Sequence, residues 1–123
     1  MASLYERLGR TEGIQALVQT VVTAHLDNPV IAKRFQPLAQ DPERLAVATR
    51  HLCNFLESGA GGPAKYTGRS MPDAHRGMNI SGEEYLAAID DIMGALAKHG
   101  MDDATKKDAL AMLYELKPTI VRL

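Results

Sequence analysis

The chain has 123 residues, with 14 Lys and Arg against 15 Asp and Glu for a net charge of −1. That length suits one domain with a modest core and is too short for two ordinary ones. The interspersed charges argue against a nucleic-acid surface, which needs a basic stripe; no apolar run approaches the ~20 residues of a spanning helix; and the single cysteine, Cys53, allows no intramolecular disulfide.

At the N-terminus there is neither the charged nor the apolar region of a secretory signal, so a cytoplasmic protein is expected. Ser3 followed by Glu6 has the spacing of a capping box and predicts a short helix from Leu4 that stops at Gly9. Thr11 is read as the cap of the next helix, about Glu12 to Leu26. Ile14, Leu17, Val18, Val21, Val22 and His25 fall on one side of it at helical spacing. Asp27-Asn28-Pro29 ends that helix, and Pro29 to Arg34 makes a short turn that delivers Phe35. Asp41-Pro42 is a cap followed by a first-turn proline, opening a helix to about Ser58 whose apolar stripe is Leu45, Ala48, Leu52, Phe55 and Leu56. Gly59, Gly61 and Gly62 terminate it. Ser81 with Glu84 is a second capping box, for a helix to about His99 with Leu86, Ile89, Ile92, Met93 and Leu96 inward. Lys98 and His99 suit the dipole at its end, and Gly100 closes it. The last helix runs from about Asp103 to Leu116, with Leu110, Leu113 and Leu116 inward, until Pro118 kinks or breaks it. No period-two segment of strand length, repeat or linker appears, so residues 1–123 read as one all-α domain.

Between the second and third long patterns lies Lys65 to Ile80, a poor former of regular structure, interrupted by Gly68, Pro72 and Gly77. Long irregular segments inside a compact domain are uncommon and often functional. His75 sits in its middle, on at most one helical turn begun by Pro72. Met71, Met78 and Ile80 surround it in sequence. An imidazole in a partly apolar loop between two helices is able to ligate a metal or a haem iron, although a loop histidine is more often a surface or capping residue. The chain also lacks tryptophan and is short of aromatic volume, which leaves room for a cofactor in the core.

The run Tyr66-Thr67-Gly68-Arg69, then Met71, then Ala74-His75-Arg76-Gly77 and Ile80, resembles the loop and proximal-histidine segment of group I truncated haemoglobins. The opening Ser3-Leu4-Tyr5-Glu6-Arg7-Leu8-Gly9 matches the start of that family, and Phe35 and Gly61-Gly62 fall at family-like positions. The resemblance covers nearly the whole chain up to about Gly100 and is looser beyond it. It implies a truncated-globin fold, a two-over-two helical sandwich enclosing haem b (iron protoporphyrin IX), with His75 as the proximal iron ligand. The other ring nitrogen of His75 should then donate to a backbone carbonyl or similar acceptor. Phe35 would stack on the porphyrin, and Leu52, Phe55, Met71, Met78, Ile80, Tyr85, Leu86 and Ile89 would line the slot, though the same residues could equally be ordinary core. Met71 or Met78 as an axial ligand is a minor alternative, because methionine more often fills irregular space. Arg69 and Lys65, with Arg50 and Arg76 behind them, are candidates for the propionates. Each is otherwise a solvated surface charge.

The chain departs from the family at the distal side. The position that usually carries a ligand-facing tyrosine is Val22, preceded by Val21; the facing glutamine position is Leu52, and one turn earlier is Ala48. None of these side chains donates a hydrogen bond. Weak oxygen retention follows unless another donor enters. His51 matches a position at which some members place a sixth iron ligand, so a bis-histidyl iron, His51 with His75, is expected when no external ligand is bound. The plain alternative is a surface histidine on a helix flank. His25 is a lesser candidate for the distal group, with an interior-edge role as its simpler reading; His99 reads as a helix-terminus residue, and Cys53 as a small core residue. Arg10 stands where the family often has a second glycine.

The functions implied are binding of dioxygen, carbon monoxide or nitric oxide, including oxygen transport. Nitric oxide dioxygenation, with electrons from a reductase, and redox or electron transfer are the alternatives; a monomer is expected. The reading of another class is a cofactor-free helical interaction module that uses the same apolar stripes on itself or a partner. A metal hydrolase fits poorly, since no paired i, i+4 histidine motif with a carboxylate and no histidine–cysteine cluster at zinc spacing is present. Gly59 to Gly62 ends a helix instead of opening one, unlike a nucleotide-binding loop.

Overall fold

Ser3 Oγ accepts from the Glu6 backbone N–H at 3.1 Å, and Glu6 Oε1 accepts from the Ser3 N–H at 3.2 Å. This capping box opens α1 (Leu4–Arg7) of the computed structural model, which describes residues 2–123. Gly9 (φ 93°) and Arg10 (φ 62°) both take left-handed backbone and turn the chain into α2 (Arg10–Asp27). Thr11 is therefore not the cap. It lies inside α2, and its Oγ1 donates to buried Glu57 at 2.5 Å. Arg10 is where a glycine would serve better. A β-carbon in left-handed backbone costs roughly 1–2 kcal/mol, and the partner of Arg10, Glu6 at 3.3 Å, is a surface pair worth at most about 1 kcal/mol. Arg10→Gly is expected to raise stability by about 0.5–1 kcal/mol in urea titration. A lowered midpoint would show that the ion pair outweighs the strain.

Ile14, Leu17, Val18, Val21 and His25 form the buried face of α2, as their spacing predicts. The short turn expected before Phe35 is instead an eight-residue helix, α3 (Ala32–Ala39). Asn28 starts it: its carbonyl accepts from the Ala32 N–H at 2.7 Å and its side chain from the Val30 N–H at 3.0 Å. Pro37 removes one donor from α3, but Gln40 N–H still reaches the Gln36 carbonyl and the helix persists. Asp41 caps α4 (Pro42–Gly59) by accepting from the Arg44 N–H at 3.2 Å. Of its predicted stripe only Leu56 is fully buried; Leu45, Ala48, Leu52 and Phe55 are half-buried. Ser70 caps α5 (Met71–His75), and the second capping box, Ser81 with Glu84, opens α6 (Gly82–Lys98). Asp102 caps α7 (Asp103–Glu115), and a 3-10 turn at Lys117–Thr119 follows at the predicted break.

Two stripes differ from expectation. Leu86 is 58% exposed and Leu110 40% exposed. The inward residues of α6 are Tyr85, Ala87, Ile89, Ile92, Ala95 and Leu96, and those of α7 are Thr105, Ala109 and Leu113. Both helices bury alanines where they approach their neighbours, and a pattern built on large side chains alone passes these over.

α2 packs on both α4 and α6, α6 packs on α7, α3 bridges α2 and α4, and α1 rests on α2 and α7. The result is two helices over two around one core that includes Ile14, Leu17, Val18, Leu56, Leu96 and Leu113. The C-terminus straps the segment after His75: Asn79 N–H donates to the Leu123 carbonyl at 2.7 Å and Arg122 N–H to the Ile80 carbonyl at 2.8 Å. Among the described residues no helix is long and apolar enough to cross a membrane.

Arg34 of α3 grips Glu84 at the start of α6 through Nε and, at 3.0 Å, through Nη2. That guanidinium, aided by the Ser81 N–H, pulls the Glu84 carboxyl from 4.5 down to about 2. A carboxyl whose folded value lies below its unfolded one adds stability that is complete above the unfolded value and lost as pH falls through the folded one. Glu84→Gln keeps an acceptor for the cap and loses the ion pair. Its stability deficit, about 1 kcal/mol at neutral pH for a half-buried pair near the surface, is expected to shrink as pH falls from 4.5 towards about 2. Urea titrations at neutral and acid pH test this, and an unchanging deficit would contradict it.

Candidate functional site

His75 is the last residue of α5, and its Nδ1 lies 2.8 Å from the Met71 carbonyl, one helical turn back. A carbonyl only accepts, so Nδ1 carries a proton, and in the neutral ring Nε2 is then the nitrogen with the lone pair. Pro72 and the Ser70 cap hold this single turn, which ends at Arg76 in extended backbone. His75 and Met71 are half-buried, whereas Met78 is 37% exposed. Of the other expected lining residues, Ile80 and Ile89 lie in the core, and Leu86 is exposed. Tyr85 turns towards α7, donating its hydroxyl to the Leu113 carbonyl at 2.5 Å, and burial pushes its phenol pKa up.

On the other side, Val22, Phe35, Ala48 and Leu52 come together around a cavity of about 50 Å³. Leu26, Leu38 and Leu45 complete its apolar wall, and His25 and Thr49 are its polar residues. Thr49 Oγ1 donates to the Leu45 carbonyl at 2.7 Å. The cavity is large enough for a water or a diatomic molecule.

His51 stands outside this cavity. Its Nδ1 is buried without a hydrogen-bond partner among the described residues. Its ring meets Tyr66 edge-on at 5.8 Å, and Tyr66 in turn meets Phe55 edge-on at 5.5 Å. The Tyr66 hydroxyl donates to the Arg69 carbonyl at 2.6 Å, folding over Gly68 so closely that a β-carbon there would lie 2.4 Å from it. The loop leading to His75 is thus fastened to α4 by aromatic contacts. Arg69, Lys65 and Arg50 are exposed and make no ion pair among the described residues, while Arg76 lies 3.8 Å from Asp73.

His25 is buried on the inner face of α2. Its Nδ1 lies 2.8 Å from Asp91 Oδ2 on α6, and its ring packs on Phe35 at 4.9 Å between centroids. A histidine on an apolar stripe demands a polar partner, and that demand was readable. The partner is 66 residues away and was not.

The fold is that of a globin of the two-over-two type. The model of the family described as bacterial-like globin matches residues 3–122, and the chain belongs to that family. It is 27% identical over 111 residues to a group 1 truncated hemoglobin of Tetrahymena pyriformis, covering 90% of this chain and 88% of that one. It is 28% identical over 107 residues to the group 1 truncated hemoglobin GlbN of a Synechocystis species, covering 84% and 82%. A crystal structure of a variant of the Tetrahymena pyriformis truncated hemoglobin, in its Fe(III) form, superposes with a TM-score of 0.89 at 25% identity, over 99% of this chain and 100% of that one. The group I resemblance and the all-α sandwich are both borne out, and membership of the globin family implies a haem cofactor.

Proposed function

We propose that the chain holds haem b through His75 Nε2 and binds dioxygen, carbon monoxide and nitric oxide on the side of Val22, Ala48 and Leu52. The observation that carries this reading is the Met71 carbonyl, 2.8 Å from His75 Nδ1, which leaves the second nitrogen in the form an iron ligand needs. Exposed Met78 and Leu86 suit a flat apolar group that would cover them. Phe35 stacks on the porphyrin, Leu52, Phe55 and Met71 line its slot, and Ile80, Ile89 and Tyr85 stand behind them as core. Arg69 and Lys65 are the cations for the propionates.

The distal wall has no tyrosine, glutamine or other neutral donor at Val22, Leu52 and Ala48. Iron-bound dioxygen carries partial negative charge, and a neutral hydrogen bond to it is worth about 0.5–1.5 kcal/mol. Dioxygen is therefore released fast, and carbon monoxide, less polar when bound, is affected less. Stopped-flow dissociation of both gases tests this; slow dioxygen release by the wild type would contradict it. Fast release suits oxygen exchange; the alternative, nitric oxide dioxygenation with electrons from a reductase, would need dioxygen to stay bound long enough to react.

A second reading is favoured by His51. A buried ring nitrogen without a partner costs about 1–3 kcal/mol, and coordination of the imidazole to iron would offset that cost. In this reading His51 is the sixth ligand when no gas is bound, which suits redox chemistry. Low-spin ferric and reduced spectra that turn high-spin in His51→Ala are the expected result. A wild type already high-spin when reduced, and unchanged by the substitution, would remove His51 from the iron.

A further inference from the structure

A His–Asp pair, its histidine buried and its aspartate half-buried, borders the distal cavity. His25, one helical turn beyond Val22, is 6% exposed, and its Nδ1 lies 2.8 Å from Asp91 Oδ2. Asn28 Nδ2 donates to both Asp91 oxygens, at 3.1 and 3.2 Å, while Asn28 Oδ1 accepts from the Val30 N–H at 3.0 Å, which fixes the amide's orientation. Asp91 is thus surrounded by donors, and a carboxylate has no proton to give. His25 Nδ1 carries the proton, so Nε2 of the neutral ring is a lone pair. No hydrogen bond to Nε2 is formed among the described residues, and His25 is one of the residues that line the cavity. A strut between α2 and α6 needs only the Nδ1 contact; the second, basic nitrogen is left over. Nothing else around the cavity takes up a proton readily: Val22, Ala48 and Leu52 are apolar, and the Thr49 hydroxyl is bound to the Leu45 carbonyl.

We propose that His25, polarised by Asp91, is the proton-accepting group of the distal cavity. It equips the site to bind small weak acids HX, such as hydrogen cyanide, hydrogen sulfide or hydrazoic acid. The inference rests on the haem reading. In this reading the H–X bond would break with its electron pair left on X, and the proton would form a new N–H bond at His25 Nε2, directly or through a water that the cavity can hold; a haem iron, when bound, would take the anion. No electrons are exchanged with an outside reagent. The imidazolium so formed faces the Asp91 carboxylate across a charge-assisted hydrogen bond, which offsets its burial. Asp27, Asp90 and Lys98 line an outer cleft beside Asp91, whereas α3 and α4 present Phe35, Leu38, Leu45 and Thr49 to the cavity, none of them charged.

The test is the association rate of cyanide with the ferric haem protein, followed by stopped flow near neutral pH. Wild type is compared with His25→Gln and Asp91→Asn. General base catalysis of this kind contributes about a hundredfold or more, so His25→Gln is expected to slow association to that extent near neutral pH. Asp91→Asn keeps an acceptor for Nδ1–H and should give an intermediate rate; it carries the test if His25→Gln does not fold. ¹⁵N NMR of the diamagnetic carbonmonoxy form should show His25 protonated at Nδ1 and bare at Nε2 when neutral. Rates within about twofold of wild type in both variants, or the opposite tautomer, overturn the proposal. A wild type with no haem absorbance would instead overturn the haem reading beneath it.

Discussion

His75→Ala is expected to give a folded chain that no longer retains haem through gel filtration, with Soret absorbance reduced to a small fraction of wild type. The side chain is half-buried at the end of a five-residue helix whose Ser70 cap and Pro72 are untouched. Its removal should therefore change the stability of the apoprotein by no more than about 1 kcal/mol. What it removes is the imidazole that the Met71 carbonyl holds in the ligating tautomer. His75→Gly makes the comparison sharper: added imidazole should restore the band, because the free base can occupy the space of the lost ring. If Met71 or Met78 were an axial ligand, His75→Ala would keep a methionine-ligated spectrum. An undiminished Soret band would take His75 off the iron.

Val22→Tyr is expected to slow dioxygen dissociation about tenfold, the equivalent of roughly 1.4 kcal/mol, near the upper end for a single neutral hydrogen bond. Val22 is half-buried and borders the cavity of about 50 Å³, where a phenol ring can project towards the ligand. Carbon monoxide dissociation should move much less, which separates a hydrogen bond from simple obstruction, since obstruction slows both gases alike. Dissociation of dioxygen unchanged by the tyrosine would mean that another donor already serves the ligand. His25 in its protonated form is the residue placed to do so.

Both predictions depend on features that differ in how far they can be read from sequence. Helix starts were legible wherever the determinant is local: Ser3 with Glu6, Asp41-Pro42, and Ser81 with Glu84 each cap as their spacing implies. Thr11 misled because the two left-handed residues before it start α2 at Arg10, and because its hydroxyl serves Glu57, 46 residues away. The length of α3 depends on the Asn28 turn and on a ladder that tolerates Pro37, neither of which a proline-terminated pattern suggests. Leu86 and Leu110 read as inward because large side chains dominate a helical stripe, while Ala87, Ala95 and Ala109 are the buried positions. Within the site, the bond from His75 to Met71 spans one turn and follows from the local helix. The grouping of Val22, Phe35, Ala48 and Leu52 came from the family resemblance, since these residues lie on three different helices. The partner of His25 came from neither source, because only the packing of α2 on α6 brings Asp91 to it.

Haem binding by this globin is tested by the absorption spectrum of the purified chain after addition of stoichiometric haem. The expected result is a Soret band that survives gel filtration and shifts on reduction with dithionite and again with carbon monoxide. Absence of that band would contradict the claim and leave a cofactor-free helical interaction module as the better description.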